Sequence, residues 1–460
     1  MRNPTSNPDS ASPMAVTPIP KLLRSLGIPL ICSLVIQACY NIVDSYFVSA
    51  MQDTAEVTGM GDYAMNALTL AFPIQMLIVA LGVGTGVGVN ALLARSMGQG
   101  DREKAGQVAG NGLFLGVCIY VLFLLFGIFG VRPYLLTQTS DPLVLELAGS
   151  YLTICCVYSF GQVLFTIYEK LLQATGHAVL STIAQVSGAV TNIILDPILI
   201  FGYFGAPELG VAGATVIGQM VSFVLFVVFQ YTCNREVPAG VRYLIPEGKV
   251  MKEILSVGFP AIIMQAVGSF LTYGVNVIFG TLSASAVTAY GVYYKIQQFA
   301  FFAAFGMNNA MIPVIAFNYG SGDKERVRAG IRWGMIDTLV IMGVCLVVLE
   351  VCASQIVGIF ALTQQTLTLC TRAVRIIALG YLFAGANIAY QGVFQALGRG
   401  VPSMVLCLVR QLLAALPLAW LFTLPPNPEV WCWAAFPVAE GIGLLVALVQ
   451  RKRILPDVLT

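Results

Sequence analysis

Charge is what this chain has least of. Only 10% of its 460 residues are Asp, Glu, Lys or Arg, where a soluble domain carries about 25%. Set beside 58% hydrophobic residues and a mean hydropathy of +0.83, that scarcity excludes a water-soluble globule and implies an integral membrane protein. A net charge of +2 supplies no basic surface for a nucleic acid, so none is expected as a partner. Histidine is absent apart from His177, which stands at a loop and helix edge without ligand companions. The eleven cysteines contain no C-x-x-C pair, and most (Cys32, Cys39, Cys118, Cys345, Cys407) sit in apolar segments as small hydrophobes. Neither residue type builds a metal site, and no cofactor is expected. Clustered D-x-x-x-D pairs, which an intramembrane prenyl transferase would need for Mg²⁺, are missing, so an enzyme is not expected. The first twenty residues hold five prolines and no apolar core; they are no signal peptide and read as a disordered cytoplasmic tail.

What the chain has in quantity is long apolar runs. A bilayer core takes roughly 20 apolar residues per helix, and that ruler gives twelve spans: 22–50, 63–93, 105–130, 142–172, 178–204, 209–233, 250–281, 284–317, 326–350, 364–396, 401–424 and 429–450. They must be helices, because open strands leave backbone groups unsatisfied in lipid. Prolines within spans (Pro29, Pro73, Pro260, Pro313) predict bends. Lysine and arginine set the orientation. With the N-terminus inside, the cytoplasmic loops collect Lys21, Arg24, Arg95, Arg102, Lys104, Arg235, Arg242, Lys249, Lys324, Arg326, Arg399 and Arg451, whereas the outer loops hold chiefly Arg132 and several acids. Both termini are therefore expected in the cytoplasm.

The loop GQGDREK (98–104) recurs as GSGDKER (320–326), a displacement of 222 residues. At the same displacement YEKLLQATG (168–176) meets YQGVFQALG (390–398), and Ile74-Gln75 meets Ile296-Gln297. Gly27-x-Pro29 pairs with Gly258-x-Pro260 at 231; the nine extra residues fit a longer first outer loop, MQDTAEVTGMGD. Six helices per repeat is an even number, so the two repeats enter the membrane in the same direction, an arrangement suited to alternating access around a site between them. The expected architecture is an all-α membrane protein of twelve transmembrane helices in two parallel six-helix repeats. Residues 1–20 form the tail, 21–233 the N-lobe, 234–249 a cytoplasmic linker, 250–450 the C-lobe and 451–460 a C-terminal tail.

Carried through the charged positions, the repeat fails. Asp44 falls opposite Val275 and Asp196 opposite Leu418; Lys295 falls opposite Pro73 and Arg410 opposite Gly188. Shared architecture does not explain the acids of the first half. Asp44 shares a helix face with Gln37, Tyr40 and Asn41, at spacings of seven, four and three, and Asp196 follows Asn192 by four. Both acids lie roughly 30 Å along their helices from the cytoplasmic ends at 1.5 Å per residue, and Thr215 shares that depth. An intramembrane carboxylate costs about 2.5–3.5 kcal/mol. Two of them close together, raised in pKa by burial and repulsion, should hold a proton or bind Na⁺ through hard oxygens. In the second half, Arg410 and Glu440 share a depth on consecutive helices and read as a structural salt bridge. Lys295 either pairs with Asp337 or, beside Gln297 and Gln298, faces the central cavity and meets substrate.

The proline, Gln37, Tyr40 and Asp44 of the first span, NIILDPILIFG of the fifth and GVAGAT entering the sixth resemble the multidrug and toxic compound extrusion (MATE) family. The stretch AYGVYYKIQQFAFFAAFGMNNAMIPVIAFNYG is similar to its bacterial MepA/DinF-like branch. The resemblance implies a V-shaped pair of six-helix lobes. It also implies a monomeric antiporter of the bacterial inner membrane that exports amphipathic, often cationic, small organic compounds in exchange for H⁺ or Na⁺. It carries a cation site onto Asp44, Asn192, Asp196 and Thr215, lined by Gln37, Tyr40 and Asn41, with a helix bend at Pro29. NorM-type members use further acids in helices seven and ten; PAIIMQAVGSF and YLFAGANIAYQG contain none, which argues against a second-lobe cation site here. The alternative is a lipid-linked oligosaccharide flippase of the same superfamily, whose pyrophosphate-binding cavity would have only Lys295 and Arg410 to draw on.

Overall fold

The computed structural model describes residues 13–49, 60–200, 210–238, 240–360 and 363–459. Helices account for nearly all of them, and no strand occurs among them. The first repeat runs α1 (Ile19–Ser49), α2 (Met60–Gln99), α3 (Arg102–Leu125), α4 (Pro142–Val157), α5 (Phe160–Ala174), α6 (Ala178–Ile200) and α7 (Gly210–Thr232). The second runs α8 (Gly248–Gly280), α9 (Ala284–Gly320), α10 (Lys324–Gly358), α11 (Gln364–Ala378), α12 (Tyr381–Ala396), α13 (Gly400–Leu408) and α14 (Ala435–Leu459). The helix α3 continues through a π turn, Phe126–Gly130, into Val131–Leu136, and α13 through a π turn, Val409–Ala414, into Ala415–Leu421. Ten described helices are long and apolar enough to cross a bilayer, and the bent pairs α4–α5 and α11–α12 complete the twelve.

Each bent pair falls within one span of the sequence reading, 142–172 and 364–396, and adds a bend that the sequence does not mark. The chain bends by 43° between α4 and α5 and by 52° between α11 and α12. No proline marks either place. The ladder slips instead to i→i−3 bonds, Ser159 N–H to Cys156 O at 3.2 Å and Gly380 N–H to Ile377 O at 3.0 Å. Pro29, Pro73, Pro260 and Pro313 all lie inside continuous helices.

The repeat is exact where the backbone needs glycine. Gly100 and Gly322 take φ of +74° and +75°, Gly176 and Gly398 +88° and +73°, each pair 222 residues apart. Only glycine adopts this left-handed corner freely. One residue beyond the first pair, Asp101 and Asp323 cap α3 and α10, their side chains accepting from the backbone N–H of Lys104 and Arg326.

Packing divides the chain into two compact units. One is built from the chain up to Ile31, Ala94–Gly100 and everything from Phe259 onward; the other holds Cys32–Leu93 and Asp101–Gly258. The proline helices α1 and α8 therefore change unit in mid-course, two residues after Pro29 and one residue before Pro260. Within the first unit the early turns of α1 lie on α9, where a Cβ on Gly306 would stand 2.7 Å from Ile31 Cα. Within the second, the early turns of α8 lie on α2, where a Cβ on Gly88 would stand 2.2 Å from Ile254 O.

Two segments differ from their sequence assignment. Residues 13–20, read as disordered tail, are largely helical: Pro13–Val16 makes one turn, and Arg326 Nη2 donates to Met14 O and Thr17 O at 2.8 and 2.9 Å. At the other end α14 runs on to Leu459, through the expected tail. The linker is docked on α3. Tyr243 sits on α3 where a Cβ at Gly110 would come within 2.0 Å of its carbonyl oxygen. The buried Asn111 accepts from Glu247 N–H at 2.7 Å, and Lys104 pairs with Glu253 at 2.8 Å. Burial pushes the Glu236 carboxyl above its ordinary value, against the opposing pull of His177 and Arg102. Most of the first outer loop, with residues 50–59, lies outside the described residues.

Candidate functional site

The site begins with two glycines. The helices α6 and α7 cross at Gly188 and Gly218, where a Cβ on Gly188 would lie 2.5 Å from Gly218 O and 1.9 Å from Ser222 Oγ. Small residues let two backbones approach this closely in a membrane. One turn beyond Gly188 stands Asn192, and one turn beyond that Asp196; the two are buried, at 3% and 0% exposure. The Asn192 amide, turned so that both ends are satisfied, donates from Nδ2 to Asp196 Oδ2 at 3.2 Å. Its Oδ1 accepts from the Thr215 backbone N–H, also at 3.2 Å. Thr215 thus joins the group through its main chain. Such an arrangement, a buried carboxylate held by an amide that also accepts from a backbone N–H, offers hard oxygens in a setting that resists an uncompensated charge.

Gln37 on α1 is half-buried and accepts from Gln185 Nε2 on α6 at 3.3 Å, which places Gln37 itself beside the helix that carries Asp196. Tyr40 is half-buried on α1. Asp44 and Asn41 fall within the helical trace of α1, but their side chains lie outside the described residues.

In the second repeat, Asp337 is taken by another residue. Arg24 of α1 holds it with Nη2 at 2.9 Å and Nε at 3.2 Å from Oδ1, which removes the pairing considered for Lys295. Lys295 is exposed on α9 and makes no ion pair or hydrogen bond among the described residues. Gln297 is half-buried beside it. Its repeat mate Gln75 donates to Tyr151 OH at 2.7 Å; the residue matching Tyr151 is Ala373, so Gln297 is left without that partner. Arg410 and Glu440 form the expected bridge, Nη1 standing 2.9 Å from both carboxylate oxygens.

The MatE family model matches the sequence twice, over residues 29–198 and 260–421. The chain belongs to the MatE family. The two matches begin at Pro29 and Pro260, the pair that the sequence repeat itself aligns. Multidrug export protein MepA of Staphylococcus haemolyticus (strain JCSC1435) is 26% identical over 399 residues, covering 85% of this chain and 84% of that protein. The protein of the same name from Staphylococcus aureus (strain MRSA252) is 24% identical over 454 residues, 96% of each. Among solved structures, a MATE crystallised in complex with MaL6 superposes with a TM-score of 0.90 at 21% identity, covering 97% of this chain and 98% of that one. An outward-facing multidrug resistance MATE family transporter of the MOP superfamily gives 0.89 at 21% identity, with 97% of each chain covered. These likenesses establish the fold, a multi-pass membrane protein.

One buried charged group in the first MatE repeat escapes the sequence reading. On α5 Glu169 and Lys170 are 8% and 3% exposed, and Lys170 Nζ lies 3.3 Å from Glu169 Oε1. Gln173 ties them together, accepting from Lys170 at 2.9 Å and donating to Glu169 at 2.6 Å. Gly86 on α2 makes the room, since a Cβ there would meet Lys170 Cγ at 2.8 Å. The available signal was two adjacent charges inside an apolar span, in a stretch that carries the repeat.

Proposed function

We propose that this MatE protein is a secondary active multidrug efflux antiporter of the bacterial inner membrane. It exports amphipathic, often cationic, organic compounds in exchange for H⁺ or Na⁺ by alternating access, with both termini in the cytoplasm. Membership of the family and the MepA relatives support multidrug export. The single observation that carries the ion coupling is the buried Asn192–Asp196 group, with the Thr215 N–H closing it.

In this reading Asp44 and Asp196 take up H⁺ or Na⁺ from outside, with Asn192 and Thr215 as companions and Gln37, Tyr40 and Asn41 lining the approach. Neutralisation changes how α1 packs near Pro29, and the drug is released. Lys295 and Gln297 contribute polar contacts to a substrate that is otherwise held by apolar and aromatic walls. The protein works as a monomer.

The test is drug efflux from vesicles of the purified protein, with the pH gradient and the sodium gradient imposed one at a time. One gradient should drive ethidium or norfloxacin export, and Asp44→Asn should abolish the response to it. Undiminished, ion-responsive export by that variant refutes the coupling assignment. Movement of a phosphate-bearing lipid in place of the drugs would replace the substrate class.

A further inference from the structure

The crossing that supports the buried carboxylate of the first repeat has a counterpart. Displaced by 222 residues, Gly188 becomes Arg410 and Gly218 becomes Glu440. Both pairs meet in space. In the first repeat the two glycines bring the backbones together; in the second, Arg410 Nη1 lies 2.9 Å from each oxygen of Glu440. The positions that match Asn192, Asp196 and Thr215 are Ala414, Leu418 and Pro437, none of which can bind an ion through its side chain.

Around the Arg410–Glu440 pair the chemistry is that of an ion site. Asn387, fully buried, donates to Glu440 Oε2 at 2.8 Å and to Glu440 O at 2.9 Å. Its own Oδ1, together with Arg410 Nε and Gln391 Nε2, is buried without a hydrogen-bond partner. Arg410 is 2% exposed and lies in the π turn Val409–Ala414, a local widening of the kind found where a helix has been adapted to hold a group. Gly443 leaves space for it, because a Cβ there would stand 2.9 Å from both Arg410 Cβ and Asn387 Nδ2. The titratable neighbours are Tyr293 of α9, Tyr381 of α12 and Cys407 of α13, with Cys345 of α10 behind Tyr381. No second acid or base among the described residues is bonded to the pair.

We infer that Arg410 is a tethered cation filling a latent ion site in the second repeat, so that Glu440 and Asn387 cannot exchange H⁺ or Na⁺ with the medium. A carboxylate in this setting needs a counter-charge. A guanidinium on its own main chain supplies one that never leaves, and a site that never empties cannot cycle. Exchange is thereby confined to the first repeat. The inference rests on the coupling role proposed above for Asp196, and it names the residue that makes the two repeats differ.

The test uses the full-length purified protein and thermal unfolding at pH 5 and pH 8, in sodium or in choline chloride. Arg410→Met uncovers the carboxylate. Its midpoint should fall by on the order of 5–10 °C at pH 8 in choline and recover by at least half on acidification or in sodium. Arg410→Met/Glu440→Gln removes both charges and should keep the wild-type response to pH and sodium. A single variant whose midpoint follows pH and sodium no differently from wild type overturns the inference, as does a double variant that has lost an ion response. If the single variant does not fold, the double variant decides by the same criterion. Stability is the readout, so a failure of Asp196 to couple transport would appear in the efflux assay and not here.

Discussion

The α5 helix of the first repeat and the α12 helix of the second occupy matching places, each following a bend and each ending at a left-handed glycine. On α5 the interior face carries Glu169, Lys170 and Gln173, bonded to one another. On α12 the same positions are Gln391, Gly392 and Gln395, with no charge at all. At the next pair of helices the assignment reverses, glycines facing glycines in the first repeat and Arg410 facing Glu440 in the second. Backbone shape is thus held in common while each repeat solves polar burial separately. A buried charge in one repeat cannot be read as inherited scaffold, and its partner has to be sought locally.

The comparison can be broken most decisively at the acids. Asp196→Asn should abolish ion-driven efflux, a loss of tenfold or more, while Leu418→Ala at the matching site leaves the rate within about twofold once corrected for its cavity, which itself costs about 2–5 kcal/mol of stability. Equal losses of coupling in vesicle assays would erase the distinction between the repeats. Next comes Gly188→Ala. Its methyl would press on Ser222 Oγ and Gly218 O, destabilising the protein by about 1–3 kcal/mol; thermal unfolding should show the loss, and the α6–α7 group should respond less to ions. Asn192→Ala removes the bonds to Asp196 and to the Thr215 N–H and should cost about 1–2 kcal/mol, again read by thermal unfolding. The smallest effect is expected at Lys104–Glu253, a partly exposed pair, where a double-mutant cycle should give about 0.2–1 kcal/mol that shrinks in high salt.

Much of this was legible in the sequence, for physical reasons. Lipid tolerates only helices, so apolar length located the spans, and the glycine corners could be found because no other residue serves there as well. Asn192 and Asp196 were legible as a pair because a spacing of four fixes a helix face. Arg410 and Glu440 were legible because equal depth on neighbouring helices leaves each little other choice. The bends after Val157 and before Tyr381 were not, since a slipped hydrogen bond needs no distinctive residue. Nor was the role of Thr215, whose bond comes from the backbone N–H that any non-proline residue would supply. Arg24 reaching Asp337 across 313 residues is tertiary pairing, which spacing cannot reveal. The docked linker likewise depends on Tyr243 meeting Gly106 and Gly110, a fit between shapes rather than a motif.

The corners at Gly100 and Gly322 have one more implication. A Cβ at either would touch nothing within 4 Å, so handedness alone forbids an ordinary side chain there. A mirror-image alanine, introduced by chemical ligation, would suit the turn and stiffen the denatured chain. These two hairpins are therefore places where the transporter could be toughened without disturbing a single neighbour.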